Sequence, residues 1–206
     1  MQPPFDPYAA QRALEEWAKA RNYTFNVSPD PSWYTGWQPF IFVRFARLGR
    51  ELRGTFDGVG VALIEAFEGD AFKQASGEDR YVLGFVTSDQ LRHRAAVRSK
   101  QGAGDLTDFG RSLGALLGGA PQPGAVLGDP AFEQAFEVKV PSRDEGNAAL
   151  PIGLRRLLIT HPFRGSLELR PGGMIVQLYG LTGFDPARLD PATTLLGQIY
   201  RAAIGQ

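Results

Sequence analysis

The nearest approach to a catalytic signature in this chain is Gly110-Arg111-Ser112-Leu113-Gly114, which matches the G-x-S-x-G nucleophile elbow. That chemistry needs a buried strand before the serine, a helix after it, and a histidine base within hydrogen-bond reach. The preceding Asp105-Leu106-Thr107-Asp108-Phe109 does not have the pattern of a buried strand. The two histidines are His93 and His161, and Asp129 and Asp144 lie between Ser112 and His161. The chain order of a triad is therefore present without its supporting elements. A serine hydrolase using Ser112 is the alternative function, and the expectation is a chain with no catalytic residue. Two histidines with no carboxylate at ligand spacing do not make a metal site, and no cysteine is present to add a ligand. No cofactor is expected. Glu65, Glu68, Asp70, Glu78 and Asp79 lack the D-x-[DN]-x-[DN]-G spacing of a calcium loop and read as a solvated acidic stretch.

Binding residues are easier to find. Trp33, Tyr34 and Trp37 crowd a loop bracketed by prolines. Aromatics of this kind either plug the end of a sheet or anchor a contact surface. Arg92, Arg94, Arg98 and Lys100 form one basic stripe if residues 91–100 are extended. Such a stripe either meets an anionic partner or guards an edge strand. Trp33, Tyr34, Trp37, Arg92, Arg94 and Arg98 are the candidate partner-binding residues, and the partner is another protein or a second copy of the chain. His93 falls on the apolar parity of the same stretch and reads as an inward or rim histidine. A small-molecule or lipid-binding domain is a third reading.

Bulk properties agree with a folded, soluble protein. The 206 residues are 43% hydrophobic and 21% charged, with a formal net charge of +0, so there is no global attraction to nucleic acid or membrane. The N-terminus lacks the basic and apolar regions of a signal peptide, and no apolar run reaches the roughly 18 residues of a membrane span. The expected location is the cytoplasm. Arginine in excess of lysine, with abundant alanine and glycine, points to a GC-rich bacterial source.

The elements that must position these residues read as follows. Asp6-Pro7 caps a helix carrying Ala10, Leu14, Trp17 and Ala18 inward, ending near Arg21-Asn22. Phe40–Phe45 reads as a first strand. The stretch from Leu52 to Phe56, the Asp57-Gly58 turn and a return from Val59 to Phe67 form a hairpin. Tyr81–Thr87 is apolar on both parities and reads as a central strand, followed by a half-wet strand from Leu91. Residues 101–130 are rich in glycine and proline, with a weak helix around 106–117. Gly128-Asp129-Pro130 then leads into a strand over 132–140, with Phe132, Phe136, Val138 and Val140 on one parity. A short helix reads over about 151–158, with Pro151 near its start and Ile152, Leu154, Leu157 and Leu158 apolar. Leu167 and Leu169 alternate with Glu168 and Arg170, Pro171-Gly172-Gly173 turns the chain, and Met174–Tyr179 returns. Asp185-Pro186 and Asp190-Pro191 are successive caps before a last helix. The predicted class is α+β: a mostly antiparallel sheet, an N-terminal helix and a C-terminal β-α-β-β-α lobe. One domain is expected, divisible into lobes of 1–125 and 126–206.

The hairpin Arg53–Val61, then Tyr81, Leu91, Gly128-Asp129-Pro130-Ala131-Phe132, Leu157-Leu158-Ile159-Thr160 and Glu168, stand in an order that resembles a family of uncharacterised bacterial proteins. That family has a Leu-Leu-Thr helix where this chain has Leu158-Ile159-Thr160. The resemblance covers most of the chain after residue 50. It implies the α+β fold above and brings no catalytic residue with it. Some relatives carry N-terminal apolar helices, which this sequence lacks. Together these readings lead to a non-catalytic protein-interaction or assembly module.

Overall fold

The Asp57-Gly58 turn is where the sheet can be built from first principles. Both residues take positive φ, 49° and 78°, as a two-residue hairpin turn requires. Strands β2 (Arg47–Phe56) and β3 (Val59–Phe67) run out from it antiparallel, with a register shift between Leu48 and Glu51. The computed structural model describes residues 8–69, 75, 79–100, 127–161, 163–178 and 181–206. Ahead of the hairpin come helix α1 (Ala9–Ala20), strand β1 (Thr24–Asn26) and the single turn α2 (Ser32–Thr35). After it come β4 (Arg80–Thr87), β5 (Ala95–Ser99), α3 (Pro130–Ala135), β6 (Phe136–Lys139), α4 (Arg143–Ala149), α5 (Ile152–Thr160), β7 (Gly165–Arg170), β8 (Gly173–Leu178) and α6 (Pro186–Ala203).

Among the described residues, eight strands form one antiparallel sheet in the order β1-β2-β3-β4-β8-β7-β5-β6. The α+β class is thus as predicted. The division at residue 125 does not follow the sheet. β4 pairs with β8 from Val82↔Leu178 to Thr87↔Gly173, and β5 sits between β6 and β7.

Successive residues of a strand point to opposite faces, and here both faces are covered. Leu52, Leu63, Val82, Val97, Leu167 and Val176 join one core under the helices, with Leu14, Phe132, Leu154, Leu196 and Ile199. Their neighbours Ala62, Ile64, Leu83, Phe85 and Ile175 join a second core under an irregular layer holding Tyr34, Trp37 and Val43. No helix among the described residues is long and apolar enough to cross a membrane.

Four expectations need correction. Phe40–Phe45 is not a strand; it lies across a sheet face, with the N–H groups of Ile41, Phe42 and Val43 taken by a side chain described below. Residues 91–94 are irregular, and the strand there is only Ala95–Ser99. The predicted strand 132–140 begins as a helix. Gly128 sits at φ 82°, the Asp129 carboxylate accepts from the Phe132 N–H, and Pro130 opens α3, so β6 starts only at Phe136. Finally, Asp190-Pro191 does not start a helix, because α6 runs through Pro191 from its cap at Asp185. Helix α4, with Ser142 accepting from the Glu145 N–H, was not anticipated, so the C-terminal order is α-β-α-α-β-β-α.

Candidate functional site

Two of the three predicted loop aromatics are core. The Trp33, Tyr34 and Trp37 rings gather around Phe85 of β4, with centroids 5.5, 5.1 and 5.2 Å from it. Tyr34 and Trp37 are buried, and Trp33 is half-buried with the Arg53 guanidinium 4.5 Å above its ring. Aromatic burial on a strand with apolar residues at both parities stabilises the sheet, and it removes Tyr34 and Trp37 as a partner surface. Gly173 makes room for this layer: a Cβ there would stand 2.4 Å from the Trp37 ring and 2.7 Å from the Val86 carbonyl oxygen.

The arginine stripe also dissolves. Arg92 and Arg94 are exposed on the irregular stretch before β5, and His93 is exposed beside them rather than inward. Arg98 is half-buried, paired with Glu137 of β6 at 2.6 Å, with its guanidinium 4.8 Å over Phe42. The stripe fails because residues 91–94 do not extend β5. Ser112 and its G-x-S-x-G motif lie outside the described residues, as do Asp70 and Glu78 of the acidic stretch. His161 is the exposed C-cap of α5.

Three buried carboxylates, which sequence reasoning did not single out for this role, hold the layers together. Glu51 accepts from the Tyr34 hydroxyl at 2.5 Å and from Arg53 at 2.6 Å. Glu168, on what alternation read as a wet face, accepts the backbone N–H groups of Ile41, Phe42 and Val43 on one oxygen at 2.9, 2.6 and 2.9 Å. Beside it Arg170 donates to the Trp37 carbonyl and lies over the Trp37 ring at 4.7 Å. Glu65 is not part of a solvated loop. It accepts both arms of Arg50, at 2.8 and 2.6 Å, and the Phe184 N–H at 2.9 Å.

Burial pushes the Glu65 carboxyl up, but the Arg50 fork and the Phe184 N–H outweigh it and hold it below its ordinary value. A carboxyl whose folded value is depressed contributes stability that is complete above the unfolded value and is lost as pH falls through the folded one. We expect the urea midpoint to hold from about pH 7 to about pH 5 and to fall on further acidification. In Glu65→Gln that acid limb should be shallower. Equal limbs in the two proteins would remove Glu65 as a source of the acid sensitivity.

No buried side-chain nitrogen or oxygen among the described residues lacks a hydrogen-bond partner, and no group of three or more His, Asp or Glu there could hold a metal. What faces outward is α5. Its inner face places Leu154 and Leu158 in the core and anchors Arg155, which donates to the Leu150 carbonyl and to Asn147, with the Asp129 carboxylate 3.6 Å away. Its outer face carries Ile152, Arg156 and Ile159, four and three residues apart. Ile152 is 61% and Ile159 38% exposed. The helical register set by Leu154 and Leu158 turns Ile152 out. Arg156 has no ion pair among the described residues, and α5 contains no acidic residue. A cation between two exposed isoleucines on one helix face is the candidate site. The spacing was visible in the sequence, but which face pointed outward was not.

No family model matches the chain, and no curated protein matches it. Among solved structures, the chain is similar to the crystal structure of the mycobacterial trehalose monomycolate transport factor A, TtfA. The TM-score is 0.62 at 11% sequence identity, over 96% of this chain and 95% of that one. The likeness is one of fold, extending over nearly the whole of both chains.

Proposed function

We propose that this chain is a non-catalytic interaction module of the cytoplasm, whose α5 outer face docks a helix of another protein. The observation that carries this reading is the pair Ile152 and Ile159 flanking Arg156. Single exposed apolar residues are ordinary, but two on one helix face around a cation with no ion pair among the described residues match the anchors of a helix–helix contact. The partner surface it fits is an amphipathic helix with a carboxylate between apolar residues. A second copy fits less well, since antiparallel packing of two α5 helices about Arg156 brings like charges together. Participation in transport, the role for which the fold neighbour is named, is compatible with a docking role and adds no residue to it.

The test is site-specific photo-crosslinking inside the native cell, from position 159 and, as control, from the exposed Val27. The expected result is an adduct from position 159 that disappears in Arg156→Glu and has no counterpart at position 27. An adduct of twice the chain's mass would replace the heterologous partner with self-association. An adduct that ignores Arg156→Glu would remove this face as the site. Labelling by a fluorophosphonate, lost in Ser112→Ala, would favour the serine hydrolase reading instead.

A further inference from the structure

Strand β6 ends the sheet order, and among the described residues its only strand partner is β5. The Lys100 N–H donates to the Ala135 carbonyl at 3.0 Å, in the register that continues as Arg98↔Glu137 and Ala96↔Lys139. Backbone hydrogen-bonding groups alternate sides along an antiparallel strand. The bonds to β5 therefore belong to Glu137 and Lys139, and the N–H and C=O of Val138 point away from β5. So do the Val140 N–H and the Phe136 carbonyl. The Phe136 N–H is used elsewhere, as the last bond of α3 to the Phe132 carbonyl.

An outer strand edge is a template for another strand, and charge along it is the usual guard. On β6 the charges guard against every register but one. Glu137 and Lys139 flank Val138 on the same face, with side chains 24% and 30% exposed. Lay a second β6 antiparallel, with the two Val138 residues opposite each other. Each Glu137 then faces a Lys139, and each Phe136 faces a Val140. A slide of two residues one way sets Glu137 opposite Glu137, and two the other way sets Lys139 opposite Lys139. A slide of one turns the apolar residues to the polar face. Opposite charges across a ladder support it, and like charges directly opposite destabilise it.

We propose that this chain dimerises with a second copy through β6, antiparallel about Val138, so that the two eight-stranded sheets run on as one. A two-fold axis generates this pairing and closes it, so it stops at a dimer. Val138 exchanges N–H and C=O with its counterpart, and each Val140 N–H meets the Phe136 carbonyl opposite. On the helix face Val138 and Val140 are half-buried against the core, and the second copy continues that apolar surface. On the other face Glu137 accepts from Arg98 at 2.6 Å and lies 3.3 Å from Lys139 of its own strand. In the dimer each Lys139 stands between two Glu137 carboxylates, in pairs of the kind whose side chains approach most closely. Five residues a side make a small contact, so association is weak, with a dissociation constant on the order of 0.1–1 mM. This surface is separate from the α5 face, and either can fail alone.

Sedimentation equilibrium and amide NMR shifts on the full chain, over about 0.02–2 mM, test the pairing. The expected result is a monomer–dimer equilibrium with shifts centred on Val138 and Val140. Lys139→Glu and Glu137→Lys should each be monomeric alone, and an equal mixture of the two should form a heterodimer, because every carboxylate again faces an ammonium. Val138→Pro removes an N–H that β5 does not use, and it should give a folded monomer. Arg156→Glu should leave dimerisation unchanged. A chain monomeric at about 2 mM would overturn the proposal, as would a dimer that persists in Lys139→Glu or in Val138→Pro. Two folded charge variants that stay apart when mixed would overturn it as well, and so would a dimer lost in Arg156→Glu. Glu137→Lys also breaks the Arg98 pair; if it does not fold, Lys139→Glu and Val138→Pro decide the matter.

Discussion

Replacing Glu168 by alanine is expected to cost about 3–5 kcal/mol of stability, the scale of removing one member of a buried charged set. The side chain is 4% exposed, and its carboxylate is the acceptor for three consecutive backbone N–H groups of the layer that crosses the sheet. Without it those donors face an apolar sheet, and a buried donor left unpaired costs about 1–3 kcal/mol by itself. Glutamine is the informative comparison. All three N–H groups reach a single carboxylate oxygen, so an amide oxygen in that place keeps those bonds, while the amide nitrogen loses the second bond that the Ile41 N–H makes to the other oxygen at 3.0 Å. Glu168→Gln should therefore cost about 1–2 kcal/mol. Urea denaturation measures both, and hydrogen exchange at Ile41, Phe42 and Val43 locates the change. If alanine leaves the midpoint and those exchange rates unaltered, the layer is held by the Trp37 and Phe85 rings alone.

Glu168 also explains why only part of this fold was legible. The alternation Leu167, Glu168, Leu169, Arg170 reads as a strand with one wet face, and the strand is there. The inference that the polar parity is wet fails because a second layer covers it. Nothing local in β7 announces that layer, because Glu168 bonds its residues across a sequence gap of 125 to 127. The same cause misled the reading of Phe40–Phe45. A run apolar on both parities fits a central strand, and it equally fits a segment lying flat on a sheet with its donors satisfied from below. By contrast the Asp57-Gly58 hairpin and the Gly172 turn, at φ 87°, were legible because their geometry is set by the turn residues themselves.

Local signals were also overruled by louder ones. Gly128-Asp129-Pro130 carries the same cap and N1 proline as Asp185-Pro186, and Glu133 reaches back to the Gly128 N–H at 2.9 Å to complete the cap. The period-two pattern of Phe132, Phe136, Val138 and Val140 hid it, because positions four apart share a face in a helix as well as in a strand. At the candidate sites the limit was different. Ile152, Arg156 and Ile159 could be placed on one helix face from spacing, and the direction of that face depends on which neighbours α5 packs against.

That misread junction supplies the second large effect. Phe136 is the residue at which α3 ends and β6 begins, and its ring is 4% exposed between Phe132, at 4.8 Å, and Phe163, at 6.5 Å. It belongs to the core of this half of the sheet, since Phe136, Leu154, Leu167, Leu169, Val176 and Ile199 are all buried in one cluster with Val138, Leu157 and Leu195 packed against it. Phe136→Ala removes a ring packed between Phe132 of α3 and Phe163 after α5, from a backbone position fixed by the Ser99↔Phe136 pairing. The expected cost is about 3–5 kcal/mol, transfer and cavity terms together. Phe136→Leu keeps most of the volume and should cost less than about 1.5 kcal/mol. Both are read from the denaturant midpoint at unchanged slope, so that the comparison reports stability and not a change in the unfolded chain. A midpoint that alanine does not move would mean that the ring faces water and that β6 is paired one residue out of register, which reverses every side chain on that edge of the sheet.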